Sequence, residues 1–128
     1  MEVQGQNNPT KISTHKKGMS AEDMAVAYIE KLNFDIVKRN FRFGQLGEID
    51  IIAKDKDILV FVEVKSARTK EYGDPVYFIN QGKQKQIRKI AEAYLYINKI
   101  TNTDCRFDAV IIDYTEKPPK LTYFKDAM

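Results

Sequence analysis

Two short segments rich in Ile and Val carry acidic residues and a lysine at alternate positions. Glu48 and Asp50 lie in the first segment, and Glu63 and Lys65 lie in the second. Side chains of a β-strand alternate between its two faces, so each of these pairs shares one face of its strand. If the two polar faces coincide, the carboxylates and the ammonium group converge on one point of a sheet. Crowded carboxylates are stabilised by a divalent cation with oxygen ligands, so this spacing predicts a metal site.

The chemistry that needs such a set is metal-assisted hydrolysis of a phosphodiester. Asp50 and Glu63 would supply oxygen ligands to Mg2+ or Mn2+, ions that usually keep several waters. The metal lowers the pKa of a bound water and offsets the charge that develops on the phosphorane oxygens. Lys65 would orient that water or neutralise the same developing charge, a role suited to a compact ammonium group.

A different interpretation treats each charged residue as part of a solvated strand face, where Glu–Lys pairs stabilise exposed sheets. The second segment argues against this for the set as a whole. Val60, Phe61, Val62 and Val64 make it nearly apolar, which is typical of a strand covered on both faces. Charges at such positions favour a functional role.

The order of these residues resembles that of a known group of nucleases. Asp50, followed after a hairpin by Glu63 and Lys65, is similar to the D...(D/E)xK motif of the restriction-endonuclease-like superfamily, which includes archaeal Holliday-junction resolvases. The resemblance is closer to a bacterial family of uncharacterised resolvase-like proteins. It extends over most of the chain through these segments: Glu22 with Ala25 and Tyr28, 39–42, 47–53, 60–65, Lys83 with 91–95, and 106–110.

The resemblance implies an α/β protein with a restriction-endonuclease-like core. This core is a mixed β-sheet flanked by helices in the order αβββαβ. It also implies an endonuclease that acts on DNA, including branched or structured DNA of repair or recombination, with Mg2+ or Mn2+ as cofactor. The catalytic residues are then Asp50, Glu63, Lys65 and Glu22, and the metal ligands are Asp50, Glu63, Val64 and Glu48.

Glu22 has two interpretations. Ser20 and Asp23 form a variant of the capping box that predicts a helix from about Ser20 to Leu32. A carboxylate in the first turn of a helix is favoured by the helix dipole alone. The resolvases also place an acidic residue on their first helix, and Glu22 would then face Asp50.

The remaining elements follow from periodicity and turn residues. Strands are expected over 34–43 and 107–113, with a short terminal strand over 121–124, and apolar residues at helical spacing predict a long helix from about Asn80 to Ile100. Gly73, Asp74 and Pro75 predict a loop before that helix. The long helix returns the chain so that the following strand can lie parallel to a neighbour.

The chain has 128 residues, enough for one compact domain. We expect residues 1–18, which are polar and lack the apolar core of a secretory signal, to be a disordered tail before a single domain over 19–128. No apolar stretch approaches the roughly 20 residues that cross a bilayer, so no membrane partner is expected. Cys105 is the only cysteine; it cannot form an internal disulfide, suits the cytoplasm, and is expected to be a small buried hydrophobic residue.

The net charge of +3 is a weak nucleic-acid signal, but the cations are clustered. The residues predicted to contact DNA phosphates are Lys83, Arg39, Arg42 and Lys38. Other lysines of the long helix are equally consistent with a solvated face.

Cleavage of a four-way junction requires two active sites and therefore a homodimer. The alternative function is a non-catalytic module that binds nucleic acid or protein with the same fold.

Overall fold

The computed structural model describes residues 8–11, 19–69 and 79–128 as a mixed α/β domain. The elements are β1 (Asn8–Lys11), α1 (Ala21–Lys31), β2 (Asp35–Phe43), β3 (Gly47–Asp55), β4 (Ile58–Ala67), α2 (Gln81–Ile97), β5 (Cys105–Asp113) and β6 (Lys120–Phe124). The predicted order of helix, three strands, helix and strand is therefore present. The short terminal strand expected over 121–124 forms β6, and one strand that was not predicted, β1, precedes α1. The predicted loop at 73–75 lies outside the described residues.

All six strands form one sheet in the order β1-β6-β5-β4-β3-β2. The β4–β5 pair is parallel and the other pairs are antiparallel. The parallel pair arises because α2 carries the chain from the end of β4 back to the start of β5, which is the expected geometry of a crossover. The sheet is mixed, as predicted. The outermost strand β2 has a register shift between Ile36 and Lys38, so that Val37 forms a bulge.

Each face of the sheet is covered by one helix. The α1-face cluster contains Ala25 and Ile29 of the helix packed on Ile51 and Val62. The α2-face cluster contains the helical residues Ile87, Ile90, Ala91 and Tyr94, packed on the sheet residues Ile49, Ile52, Leu59 and Phe61. Alternate residues of β4 therefore enter opposite clusters, which explains why this segment is nearly apolar throughout.

Both helices begin as their sequences predict. Asp23 N donates to Ser20 Oγ at 3.0 Å and Ser20 N donates to Asp23 Oδ2 at 3.3 Å, which completes the capping box of α1. Asn80 caps α2 by accepting a hydrogen bond from the backbone N–H of Lys83 at 2.9 Å.

The end of α2 differs from the prediction, because the helix stops at Ile97 and not at Ile100. Lys99 adopts a left-handed conformation with φ of 55°, and Ile100 N donates to Leu95 O at 2.9 Å. This is the Schellman pattern that ends many helices. The helical spacing of the apolar residues continued past the true end, and Ile97 is left 54% exposed.

Two further expectations differ from the structure. Asn8–Lys11 forms β1 and pairs with β6, although it lies in the segment expected to be a disordered tail. The edge of β6 offers this polar segment backbone hydrogen bonds, so it needs no apolar pattern of its own. Cys105 is exposed and not buried, because it opens β5 at the margin of the sheet. Partial burial of the thiol and the adjacent Asp104 raise its pKa.

A buried ionic network joins β5, β6 and the end of β3. Arg106 donates to Asp108 Oδ1 at 3.0 Å and to Asp55 Oδ2 at 3.0 Å, and the Tyr123 hydroxyl donates to Asp108 Oδ2 at 2.5 Å. Burial of Arg106 acts to lower its pKa, but its hydrogen bonds with Asp108 outweigh that effect and the pKa is raised. The network lies at the Asp55 end of the β3–β4 hairpin and satisfies the Asp108 carboxylate, which is fully buried.

Candidate metal and active site

Asp50 and Glu63 lie side by side where β3 and β4 stop pairing. The ladder between these strands runs from Asp55 opposite Ile58 to Ile51 opposite Val62, so Asp50 and Glu63 are the next residue on each strand. The backbone N–H of Val64 donates to Asp50 Oδ2 at 2.8 Å. This hydrogen bond fixes the orientation of the Asp50 carboxylate.

Burial and neighbouring negative charges raise the pKa values of both carboxyl groups. Burial raises the pKa of Asp50, the Val64 N–H opposes that shift, and the nearby charges of Glu22 and Glu48 add to it. Burial and the charge of Asp50 raise the pKa of Glu63 to about 7. A hydrogen bond between the two carboxyl groups lowers the pKa of Asp50 and raises that of Glu63.

Lys83 reaches this pair from the first turn of α2. Its Nζ lies 3.3 Å from Glu63 Oε2, and its charge lowers the pKa of Glu63 against the larger effect of burial. The sequence predicted Lys83 as a contact to DNA phosphate. The structure instead places it against a carboxylate of the site, and its contact with DNA stays a prediction.

Glu22 and Glu48 lie close enough to Asp50 for their charges to raise its pKa. The side-chain amide of Asn40 donates to Glu22 Oε2 at 2.7 Å and to Glu48 Oε2 at 3.1 Å. Arg39 holds the other oxygen of Glu22 at 2.9 Å. The helix dipole is therefore not the only interaction of Glu22. Arg39 and Asn40 of β2 donate hydrogen bonds to its carboxylate, which also lies within electrostatic range of Asp50.

Lys65 follows Glu63 by two residues on β4 and is exposed. Within the part of the chain that the structure describes, its ammonium group has no hydrogen bond or ion pair. Lys65 is thus available to a ligand near Asp50 and Glu63.

The other predicted DNA contacts have different surroundings. Arg39 bridges Glu22 and Asp23, and its hydrogen bonds to Asp23 and Glu22 raise its pKa. Arg42 lies 3.7 Å from Glu48 and is largely exposed. Lys38 is exposed next to the β2 bulge. The Arg39 guanidinium is therefore used within the protein, whereas Lys38 and Arg42 face solvent.

The donor set fits a magnesium-type ion of low protein coordination. Among the described residues no group of three or more His, Cys, Asp or Glu side chains is arranged to hold an ion. Mg2+ is usually bound by one or two carboxylates and keeps several waters. Asp50 and Glu63 are the pair of carboxyl groups that could hold such an ion, and the cation would have to displace any proton bound there.

Sequence reasoning missed the role of Asn40. Its type carried the signal, because asparagine is depleted in strands and tolerates a left-handed backbone, and it interrupts a segment predicted to be a strand.

Neither helix, over the residues that the structure covers, combines the length and apolar character required to cross a bilayer.

These features define a class of protein: a mixed α/β domain with a pair of largely covered carboxyl groups at the point where two strands separate. Residues 21–112 match the family described as "Uncharacterised protein family UPF0102". The chain belongs to this family.

Several bacterial relatives carry the same family name. A UPF0102 protein of Acetivibrio thermocellus is 43% identical over 100 residues, which cover 78% of this chain and 76% of that protein. One from Syntrophus aciditrophicus is 39% identical over 112 residues, covering 88% of this chain and 87% of that protein. One from Geobacter sulfurreducens is 45% identical over 102 residues, covering 78% and 79%. These relatives establish family membership and name no reaction.

Proposed function

We propose that this protein is a Mg2+- or Mn2+-dependent endonuclease that hydrolyses phosphodiester bonds of DNA, with a restriction-endonuclease-like core. One observation carries the proposal. Two carboxyl groups, half-buried Asp50 and buried Glu63, lie side by side at the end of a strand pair and perturb each other's pKa, and an exposed lysine, Lys65, follows on the same strand. Carboxyl groups whose pKa values are raised by burial and by neighbouring negative charges are typical of functional sites, so this pair favours a functional role.

The residues of the chain would divide the work as follows. Asp50, oriented by the Val64 N–H, and Glu63, once deprotonated, would hold the cation. When bound, the metal supplies a coordinated water of lowered pKa and a positive charge near the phosphate. Lys65 would place an ammonium group next to the developing negative charge or orient the attacking water.

Electrostatics also suggest a role for Lys83. Because Lys83 pairs with Glu63, it partly neutralises the site when no cation is bound. A cation that binds Glu63 would compete with this ion pair and release Lys83 towards a phosphate. Lys38 and Arg42, exposed on β2, would add further phosphate contacts.

The resemblance to resolvases favours branched or structured DNA as substrate. A four-way junction has two strands to cut, so this substrate also requires two copies of the chain. A duplex or single strand requires only one.

The test is a cleavage screen of duplex, single-stranded, flap and four-way-junction DNA with Mg2+ or Mn2+. We expect Asp50→Asn and Lys65→Ala to lower the single-turnover rate by about 100-fold or more while DNA binding survives. Lys54→Ala, which removes an exposed lysine at the far end of β3, is the matched control and should cleave at the wild-type rate.

The proposal is wrong if the wild-type protein binds DNA in the presence of Mg2+ and Mn2+ but cuts no substrate faster than Asp50→Asn. The same result would favour the non-catalytic binding module. In that case the affinity for DNA, and not its cleavage, would be the activity to follow.

A further inference from the structure

Asn40 makes two contacts that no ordinary strand residue could make. Its amide nitrogen bridges Glu22 on α1 and Glu48 on β3 at 2.7 and 3.1 Å. These are the two carboxylates whose charges act on Asp50. One neutral donor therefore holds two negative groups beside the candidate site.

The backbone at Asn40 explains how the side chain reaches both. Asn40 has a φ of 54°, in the left-handed region, although it lies inside β2. Neighbouring residues in a regular strand point to opposite faces. Arg39 and Asn40 nevertheless both contact Glu22, which requires the alternation to break between them.

At the same place, side chains two residues apart on β2 and on β3 point to opposite faces of the sheet. Arg39 contacts α1, but Phe41, two residues later, packs against Tyr94 of α2 with ring centroids 5.1 Å apart. On β3, Ile51 belongs to the α1-face cluster and Ile49 to the α2-face cluster. The pairs Arg39–Ile51 and Phe41–Ile49 enclose Asn40 and Asp50, so the two residues stand across from each other at this switch.

We propose that Asn40 is a positioning residue of the active site, whose left-handed backbone and side-chain amide together hold Glu22 and Glu48 next to Asp50. This inference rests on the proposed nuclease function for its effect on turnover, but the contact itself is testable without any activity. Asparagine meets both requirements, because it tolerates a left-handed backbone and carries an amide donor. Aspartate meets only the first, and glutamine only the second.

Two substitutions separate the side chain from the backbone. Asn40→Gly keeps the left-handed conformation and deletes the amide, whereas Asn40→Asp keeps the size and places a third carboxylate between Glu22 and Glu48. Asn102→Gly is the matched control, since Asn102 is also left-handed, with a φ of 53°, and lines a cavity of about 510 Å3 at the opposite end of the hairpin.

We expect Asn40→Gly to melt within the range of Asn102→Gly and to bind DNA as the wild type does. Its single-turnover cleavage should fall by about 10–100-fold, the usual effect of removing a partner that orients a ligand residue. Asn40→Asp should cleave no better than Asn40→Gly. In a Glu22→Gln, Glu48→Gln background, Asn40→Gly should have little further effect, because contacting residues are not additive.

The proposal is overturned if Asn40→Gly cleaves at the wild-type rate. It is also overturned if Asn40→Gly lowers the cleavage rate by the same factor in the Glu22→Gln, Glu48→Gln background as in the wild type. If the wild-type protein cleaves nothing, the nuclease function fails and nuclear magnetic resonance decides the positioning role separately. The Asn40 side-chain amide signals should then shift in both Glu22→Gln and Glu48→Gln. Signals that respond to neither substitution would refute the contact.

Discussion

Replacement of Glu63 by glutamine should change how the stability of the protein depends on pH. Glu63 is 8% exposed, and its pKa rises from 4.5 to about 7 on folding. Between these values the folded protein binds more protons than the unfolded chain. The free energy of unfolding must therefore fall as the pH rises through this window, and the loss is complete above about pH 7.

The size of the effect follows from the two pKa values. A difference of one pH unit corresponds to about 1.4 kcal/mol, so Glu63 costs the folded state about 3 kcal/mol at alkaline pH. Glutamine does not titrate. As the pH rises, the free energy of unfolding of Glu63→Gln relative to that of the wild type should therefore increase by about 3 kcal/mol in total, mostly between about pH 5 and 7.5.

Urea denaturation of both proteins without divalent metal, at intervals of half a pH unit, measures this difference directly. Glu92→Gln is the control, because Glu92 is exposed on the same helix that supplies Lys83. Its curve should run parallel to that of the wild type. If the Glu63→Gln curve is also parallel, the carboxyl group does not titrate as a buried partner of Asp50 and the account of the site is refuted.

Four other perturbations test separate parts of the structure. Millimolar Mg2+ or Mn2+ should raise the melting temperature of wild type but not of Asp50→Asn, because the cation binds the folded site; equal shifts in both would place the metal elsewhere. Lys65→Ala should melt as wild type does while cleavage is lost, since the side chain is exposed. Lys83→Ala should raise the pH at which Glu63 titrates, and should reduce the salt slope of DNA binding by about one if Lys83 also contacts a phosphate. Asp108→Asn should destabilise the fold by about 3–5 kcal/mol in urea, because it breaks a buried ion pair and leaves Arg106 with Asp55 as its remaining charged partner.

Local rules predicted much of the fold from the sequence. The capping residues Ser20 and Asp23 marked the start of α1, and the apolar run of β4 indicated a strand buried on both faces. The parallel placement of β5 followed from the length of the helix before it. In each case a signal within a few residues, or the length of a connection, determined the structure.

The errors came from interactions between distant segments. The end of α2 depends on a left-handed Lys99 that periodicity does not reveal, and β1 exists because the edge of β6 offers it partners. Asp50 and Glu63 were recognisable from spacing, and Glu22 and Glu48 were named as candidates, but the contacts that Lys83 and Asn40 make with these residues were not. Neither the ion pair of Lys83 with Glu63 nor the bridge from Asn40 can be derived from positions in the chain, since both link elements that only tertiary packing brings together.

The bulge at Val37 has a consequence for how copies of this protein meet. β2 is the outermost described strand on its side of the sheet, and an open strand edge is a template for pairing with another molecule. The extra residue disturbs the spacing of hydrogen-bonding groups. The exposed cations Lys38 and Arg42 would also meet like charges of the other molecule across such a junction. The same strand that borders the candidate site therefore disfavours edge-to-edge pairing between copies of the chain.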